Sequence, residues 1–93
     1  MRCPGCDGDP QKDVDNQRKH GISFDEACCV FKDRNLSETP DDRDYAEERW
    51  LAVGIVGGSV LVVVYTDLDG RERIISARKA EPREEAEYYA RFA

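Results

Sequence analysis

The stretch 48–78 constrains the fold more than any other part of the chain. Glu48-Arg49-Trp50-Leu51-Ala52-Val53-Gly54-Ile55-Val56 reads as a strand, and Gly57-Gly58 as a two-residue hairpin turn, because both glycines accept a positive φ. Residues 59–66, Ser-Val-Leu-Val-Val-Val-Tyr-Thr, form a second strand. It is apolar at successive positions, so both of its faces need cover and it belongs in the middle of a sheet. Asp67-Leu68-Asp69-Gly70 is a second turn, and 71–78, containing Ile74 and Ile75, a third strand. Consecutive hairpins make this meander antiparallel.

Helices must cover such a sheet, and the flanking sequence supplies them. Asp9 can cap a helix over 10–19 with Pro10 at its first position, and His20-Gly21 ends it. Its only apolar residue is Val14, so it leans on its neighbours. Ser23 and Glu26 make a capping-box pattern, and Phe24, Ala27, Cys28 and Phe31 follow at i, i+3, i+4, i+7, which predicts a short amphipathic helix over 24–31. Residues 32–45 are polar with Pro40 among them, a loop or short edge segment. Pro82 opens a last helix with Ala86, Tyr89, Ala90 and Ala93 on one side. The expected class is α+β: two N-terminal helices, a three-stranded meander and a C-terminal helix, in one domain over 1–93. Residues 1–8 are expected to be irregular or at most a weak edge strand, since proline and glycine suit strands poorly.

Composition narrows the function classes. At 93 residues, with 40% hydrophobic and 37% charged, the chain has a small core and is not globally disordered. No apolar run approaches the ~20 residues of a membrane helix, so no membrane partner is expected. Met1-Arg2-Cys3-Pro4-Gly5-Cys6-Asp7 lacks the apolar region of a secretory signal, which implies a cytoplasmic protein. The four cysteines, 3, 6, 28 and 29, are therefore expected not to form a disulfide framework. The net charge of −6 excludes a diffuse basic coat for nucleic acid. Charge is nonetheless segregated. Residues 71–80 carry Arg71, Arg73, Arg78 and Lys79 against Glu72, a net of +3. Residues 38–48 carry Glu38, Asp41, Asp42, Asp44, Glu47 and Glu48 against Arg43, a net of −5.

Three constellations hold chemistry. Arg18-Lys19-His20-Gly21 contains the only histidine, a residue suited to proton transfer near neutral pH; its plain alternative is a basic cluster satisfying the helix C-terminus. On the third strand, alternation places Arg71, Arg73, Ile75 and Ala77 on one face and Glu72, Ile74, Ser76 and Arg78 on the other. Arginine beside serine can grip a phosphate, with Arg49 adding a guanidinium; the alternative is solvated edge charge paired with the acidic segment. Cys3-Pro4-Gly5-Cys6 can be half a zinc site completed from Cys28, Cys29 and His20, although Cys28 also fits the apolar helix face. No nucleotide-binding glycine loop or Ser-His-Asp arrangement is present.

The chain resembles the BrnT family of type II toxins. The resemblance is carried by Asp9-Pro10-x-Lys12-x-x-x-Asn16-x-x-Lys19-His20-Gly21, by Ser23-Phe24-Asp25-Glu26-Ala27 with Phe31, by Asp41-Asp42-Arg43-x-Tyr45-x-Glu47-Glu48-Arg49-Trp50 running to Gly54, and by Val64-Tyr65-Thr66 through Arg73-Ile74-Ile75-Ser76-Ala77-Arg78-Lys79-Ala80. It covers roughly 9–80. It implies a RelE-like α+β ribonuclease that cleaves RNA and blocks translation. It also implies a BrnA-like ribbon-helix-helix antitoxin, through which alone the complex would meet operator DNA. The family's apolar first strand is replaced here by Cys3-Pro4-Gly5-Cys6-Asp7-Gly8.

Cleavage of RNA without a metal or other cofactor needs a base, an acid and cations around the phosphate. The expected site has Arg78 and Arg49 on the scissile phosphate, His20 as acid or base, and Glu48 or Tyr65 as its partner. Lys19, Arg73, Ser76 and Lys79 are the expected RNA contacts. Two other readings compete: a non-catalytic antitoxin-binding co-repressor, and a small zinc-stabilised domain.

Overall fold

The computed structural model describes residues 6–41 and 48–91. Cys3, Ala93 and the Asp42-Arg43-x-Tyr45-x-Glu47 part of the acidic segment lie outside the described residues. In chain order the elements are β1 (Cys6–Gly8), α1 (Pro10–His20), α2 (Phe24–Cys28) passing into a 3₁₀ turn at Cys29–Lys32, β2 (Ser37–Pro40), β3 (Trp50–Val56), β4 (Ser59–Leu68), β5 (Arg71–Lys79) and α3 (Pro82–Ala90).

The strands form one five-stranded sheet in the order β1-β5-β4-β3-β2. The class is mixed α+β, but the sheet is larger than the expected three-stranded meander. β2 adds antiparallel to β3, and β1 adds parallel to β5 through Cys6↔Glu72, Asp7↔Arg73 and Gly8↔Ile74. Cys6–Gly8 is thus the weak edge strand that stood as the alternative to irregular chain. Both additions are edge strands of three and four residues, bonded on one side only, so backbone pairing outweighs their weak propensity. β4 is central, as its two-sided apolarity requires: Val60, Leu61, Val62 and Val63 are all buried. Fully burying one such side chain contributes about 1.5–3 kcal/mol.

One face of the sheet packs against α2 and the 3₁₀ turn. Phe24, Ala27, Cys28 and Val30 meet Ala52, Leu61, Val63, Tyr65, Ile74 and Ala77 there. On the opposite face α3 runs over Val53 and Val62 with Tyr88 buried. Its N-terminal turn is held by Arg78 bonded to Glu84. Its far end is held by Tyr88 donating to Asp33 and by Arg91 donating to the Asn35 carbonyl. The helix ends follow the expected chemistry. Asp9 accepts from the Gln11 amide, Ser23 from the Glu26 amide, and Gly21 closes α1 with φ at 70°. Glu81 and Glu84 close a capping box on α3.

The cysteines correct the sequence reading. Cys6 and Cys28 form a disulfide, with Cα atoms 6.0 Å apart, that ties β1 to α2. Cys29 is disulfide-bonded as well. A strand with little to bury is thus fixed covalently, and Gly8 lets it lie close: a Cβ there would come within 2.7 Å of Phe24 Cδ2. A sulfur committed to a disulfide is not a thiolate ligand, so Cys6 does not support the zinc-domain reading. Among the described residues no group of three or more metal-ligating side chains gathers.

Candidate functional site

The site begins with a bulge. Tyr65 pairs with Ile74 and Val64 with Ser76, so Ile75 has no partner on β4. One extra residue reverses the in–out alternation beyond it. Ile74 and Ala77, three positions apart, therefore both enter the same core. Arg73 precedes the first and Arg78 follows the second, so both arginines turn to the opposite face. Strict alternation separates them; the bulge puts them on one face, with Ser76 between. In the register Arg73 lies beside Thr66, Ser76 beside Val64 and Arg78 beside Val62.

Glu48 and Arg49 lie immediately before β3, which starts at Trp50. Thr66 Oγ1 donates to the Glu48 carbonyl at 2.8 Å, which draws that corner of the chain to the Arg73–Thr66 row. Carboxylates hold two of the arginines. Asp7 Oδ2 accepts from Arg73 Nη1 at 3.1 Å across the β1–β5 pair. Glu84 accepts from both terminal nitrogens of Arg78, and this pairing, more than its own burial opposes it, holds the Glu84 carboxyl down at about 2.

His20 and Lys19 occupy the last turn of α1, beside the open part of the β5 edge. Together with Lys12, Asp15, Asn16, Ile75 and Ser76 they line a cleft of about 270 Å³. Lys12 was missed as a site residue. Its signal was present in the helical spacing 12, 16, 19, which puts these residues on one face.

Two expected site residues point elsewhere. Tyr65 belongs to the core face, where it is buried, stacks edge-on against Phe31 at 5.0 Å and donates to Glu38 at 2.9 Å. Burial first and the Glu38 carboxylate second push its hydroxyl pKa well above the ordinary value. It lines an acidic cleft with Glu38, Trp50, Asp67, Gly70 and Glu72, separate from the arginines. Lys79 follows Arg78 at the exposed end of β5, and alternation turns it to the other face.

The sheet face therefore offers two guanidinium groups, Arg73 and Arg78, flanked by a cleft with lysines, a serine and the single histidine. A family model described as the ribonuclease toxin BrnT of type II toxin–antitoxin systems matches residues 9–84. The chain belongs to the BrnT family. No curated protein matches it. BrnT proteins are ribonuclease toxins of type II toxin–antitoxin systems, and His20, Arg49, Arg73, Ser76 and Arg78 all fall inside the matched stretch. Cys6 and Asp7 precede it, so in this BrnT chain the disulfide joins a residue before the family region to one within it. Among the described residues no helix is long and apolar enough to cross a membrane.

Proposed function

We propose that this BrnT-family chain cleaves RNA in the cytoplasm without a metal, so blocking translation, and that a BrnA-like ribbon-helix-helix antitoxin neutralises it. The antitoxin, not this chain, would contact operator DNA. The observation that carries the reading is the bulge that puts Arg73, Ser76 and Arg78 on one sheet face, next to the cleft of His20 and Lys19.

In this reading Arg78 and Arg49 hold the scissile phosphate and Arg73 assists. A base takes the proton of the 2′-hydroxyl, whose oxygen attacks the adjacent phosphorus. The P–O5′ bond breaks, an acid protonates the leaving oxygen, and the products are a 2′,3′-cyclic phosphate and a 5′-hydroxyl. His20 moves one of these protons and Glu48 is the candidate for the other. Lys19 and Ser76 contact the flanking RNA backbone. Guanidinium groups fixed before the reaction stabilise the dianionic transition state without reorganising.

A second reading has its own support. Glu84 and Asp7 already sit on Arg78 and Arg73 and offset charge that a phosphate would need, which favours a non-catalytic antitoxin-binding co-repressor. Incubating the purified chain with end-labelled RNA in EDTA separates the two. Cleavage to cyclic phosphate and 5′-hydroxyl ends, suppressed by the co-expressed antitoxin, supports the ribonuclease. Intact RNA with a folded chain that still binds the antitoxin supports the co-repressor.

A further inference from the structure

Apart from the tyrosines, Asn16 is the one buried polar or charged residue among the described residues, at 5% exposure. Its carboxamide makes three hydrogen bonds, all to backbone. Nδ2 donates to the Ile22 carbonyl and to the Ala77 carbonyl, each at 2.9 Å, and Oδ1 accepts from the Ala77 amide at 3.1 Å.

The geometry explains why an amide is required. β1 ends its pairing with β5 at Gly8↔Ile74, so beyond that point the outer edge of β5 has no strand beside it. The N–H and C=O of one strand residue point to the same side, and those of Ala77 point outward, away from β4. A carboxamide carries the same donor and acceptor pair as a peptide group. Asn16 therefore stands in for the missing strand at Ala77. Its remaining N–H takes the Ile22 carbonyl and closes the loop that follows α1.

The segment enclosed between Asn16 and Ile22 contains Lys19 and His20. Ala77 lies between Ser76 and Arg78. One side chain thus joins the turn that carries the proton-transfer candidate to the strand that carries the phosphate contacts. We propose that Asn16 is a positioning residue that sets His20 against Ser76 and Arg78 for RNA cleavage. This rests on the ribonuclease reading above, and Asn16 itself touches no substrate.

The test compares Asn16→Ser, Asn16→Gln and Val30→Ala, the last a core truncation at a fully buried residue of the 3₁₀ turn. Each is measured well below its own melting temperature, with RNA cleavage kinetics and the ring signals of His20 in proton NMR. His20 is the single histidine, so those signals are unambiguous. Misplacing a reacting group by about 1 Å can cost about a hundredfold in rate. The expected result for both Asn16 variants is a loss of about tenfold or more in kcat, with KM within about twofold and displaced His20 signals. Asn16→Gln keeps the amide and so keeps the fold if Asn16→Ser does not. Val30→Ala lowers stability and leaves kcat and the His20 signals in place. Unmoved His20 signals in the folded Asn16 variants, or equal losses of kcat in Val30→Ala, would overturn the positioning role. An inactive wild type whose His20 signals still depend on Asn16 would overturn only the ribonuclease reading and leave the positioning geometry standing.

Discussion

Arg78 and Glu84 form a two-pronged ion pair, Nη1 to Oε1 at 2.7 Å and Nη2 to Oε2 at 2.9 Å. The same Oε1 accepts the Glu81 amide at 2.8 Å, so one carboxylate both caps α3 and occupies the guanidinium fork. An RNA phosphate that takes the same Nη1–Nη2 edge must displace Glu84, and one that binds elsewhere on the guanidinium still meets its negative charge. Glu84→Gln keeps the capping box and removes the charge. The expected outcome is tighter RNA binding at low salt with α3 intact, read by filter binding and circular dichroism.

The same pair makes stability depend on pH in a defined window. The Glu84 pKa is depressed from 4.5 to about 2, so the folded state gains its full contribution above 4.5 and loses it as pH falls toward 2. Arg78 is 39% exposed, so solvent screens the pair and the effect is modest. Thermal melts from pH 6 to pH 2 should fall more steeply for the wild type than for Glu84→Gln. Parallel curves would remove Glu84 from the acid limb.

The Cys6–Cys28 bond closes a loop with a sequence separation of 22 residues. Disulfides over loops of this order contribute about 2–4 kcal/mol, and each kcal/mol moves the melting temperature of a domain this size by about 4–8 °C. The double variant Cys6→Ser with Cys28→Ser is expected to melt lower, by less than that full amount because Cys29 keeps its own disulfide. Its Arg73–Asp7 contact should loosen too, because β1 loses its direct covalent tie to α2 and keeps three residue pairs with β5.

Gly54 sits under the 3₁₀ turn. A Cβ there would meet Val30 Cγ2 at 2.7 Å and Asp33 Oδ2 at 3.2 Å. Asp33 is itself engaged by Tyr88 and by the Ile55 amide at 2.8 Å, so it cannot yield freely. Gly54→Ala should cost about 1–3 kcal/mol by overpacking, measured by urea denaturation.

Tyr65 separates the two faces of the sheet in an assay. If cleavage belongs to the arginine face, Tyr65→Phe loses the Glu38 hydrogen bond, about 1 kcal/mol of stability, and keeps its cleavage rate. A rate loss matching that of Arg78→Ala would move the reaction to the acidic cleft.

Much of this fold was legible because it depends on local rules. The two-sided apolarity of β4 placed it in the centre, and Asp9, Gly21 and Ser23 marked helix ends by the groups they offer. What was hidden depends on tertiary partners. Ser37–Pro40 and Cys6–Gly8 become strands only because β3 and β5 offer them open edges. The disulfide depends on Cys6 and Cys28 meeting across 22 positions. For the site, the basic residues of β5 were visible, but their shared face was not. Nothing in Ile74-Ile75-Ser76 announces which residue is squeezed out of register, and a single bulge reverses the pattern on which alternation rests. Asn16 was visible only as part of a motif, since its role appears when Ala77 lies beside it.

If Arg73 and Arg78, brought to one face by the bulge, act on the phosphate, single-turnover cleavage of end-labelled RNA in EDTA by wild type, Arg73→Ala and Arg78→Ala, each verified as folded, will show it. Loss of a transition-state charge contact costs about 10²–10³ in rate. The expected result is a loss of that size for Arg78→Ala and a smaller one for Arg73→Ala. Wild-type rates in folded Arg78→Ala would contradict it.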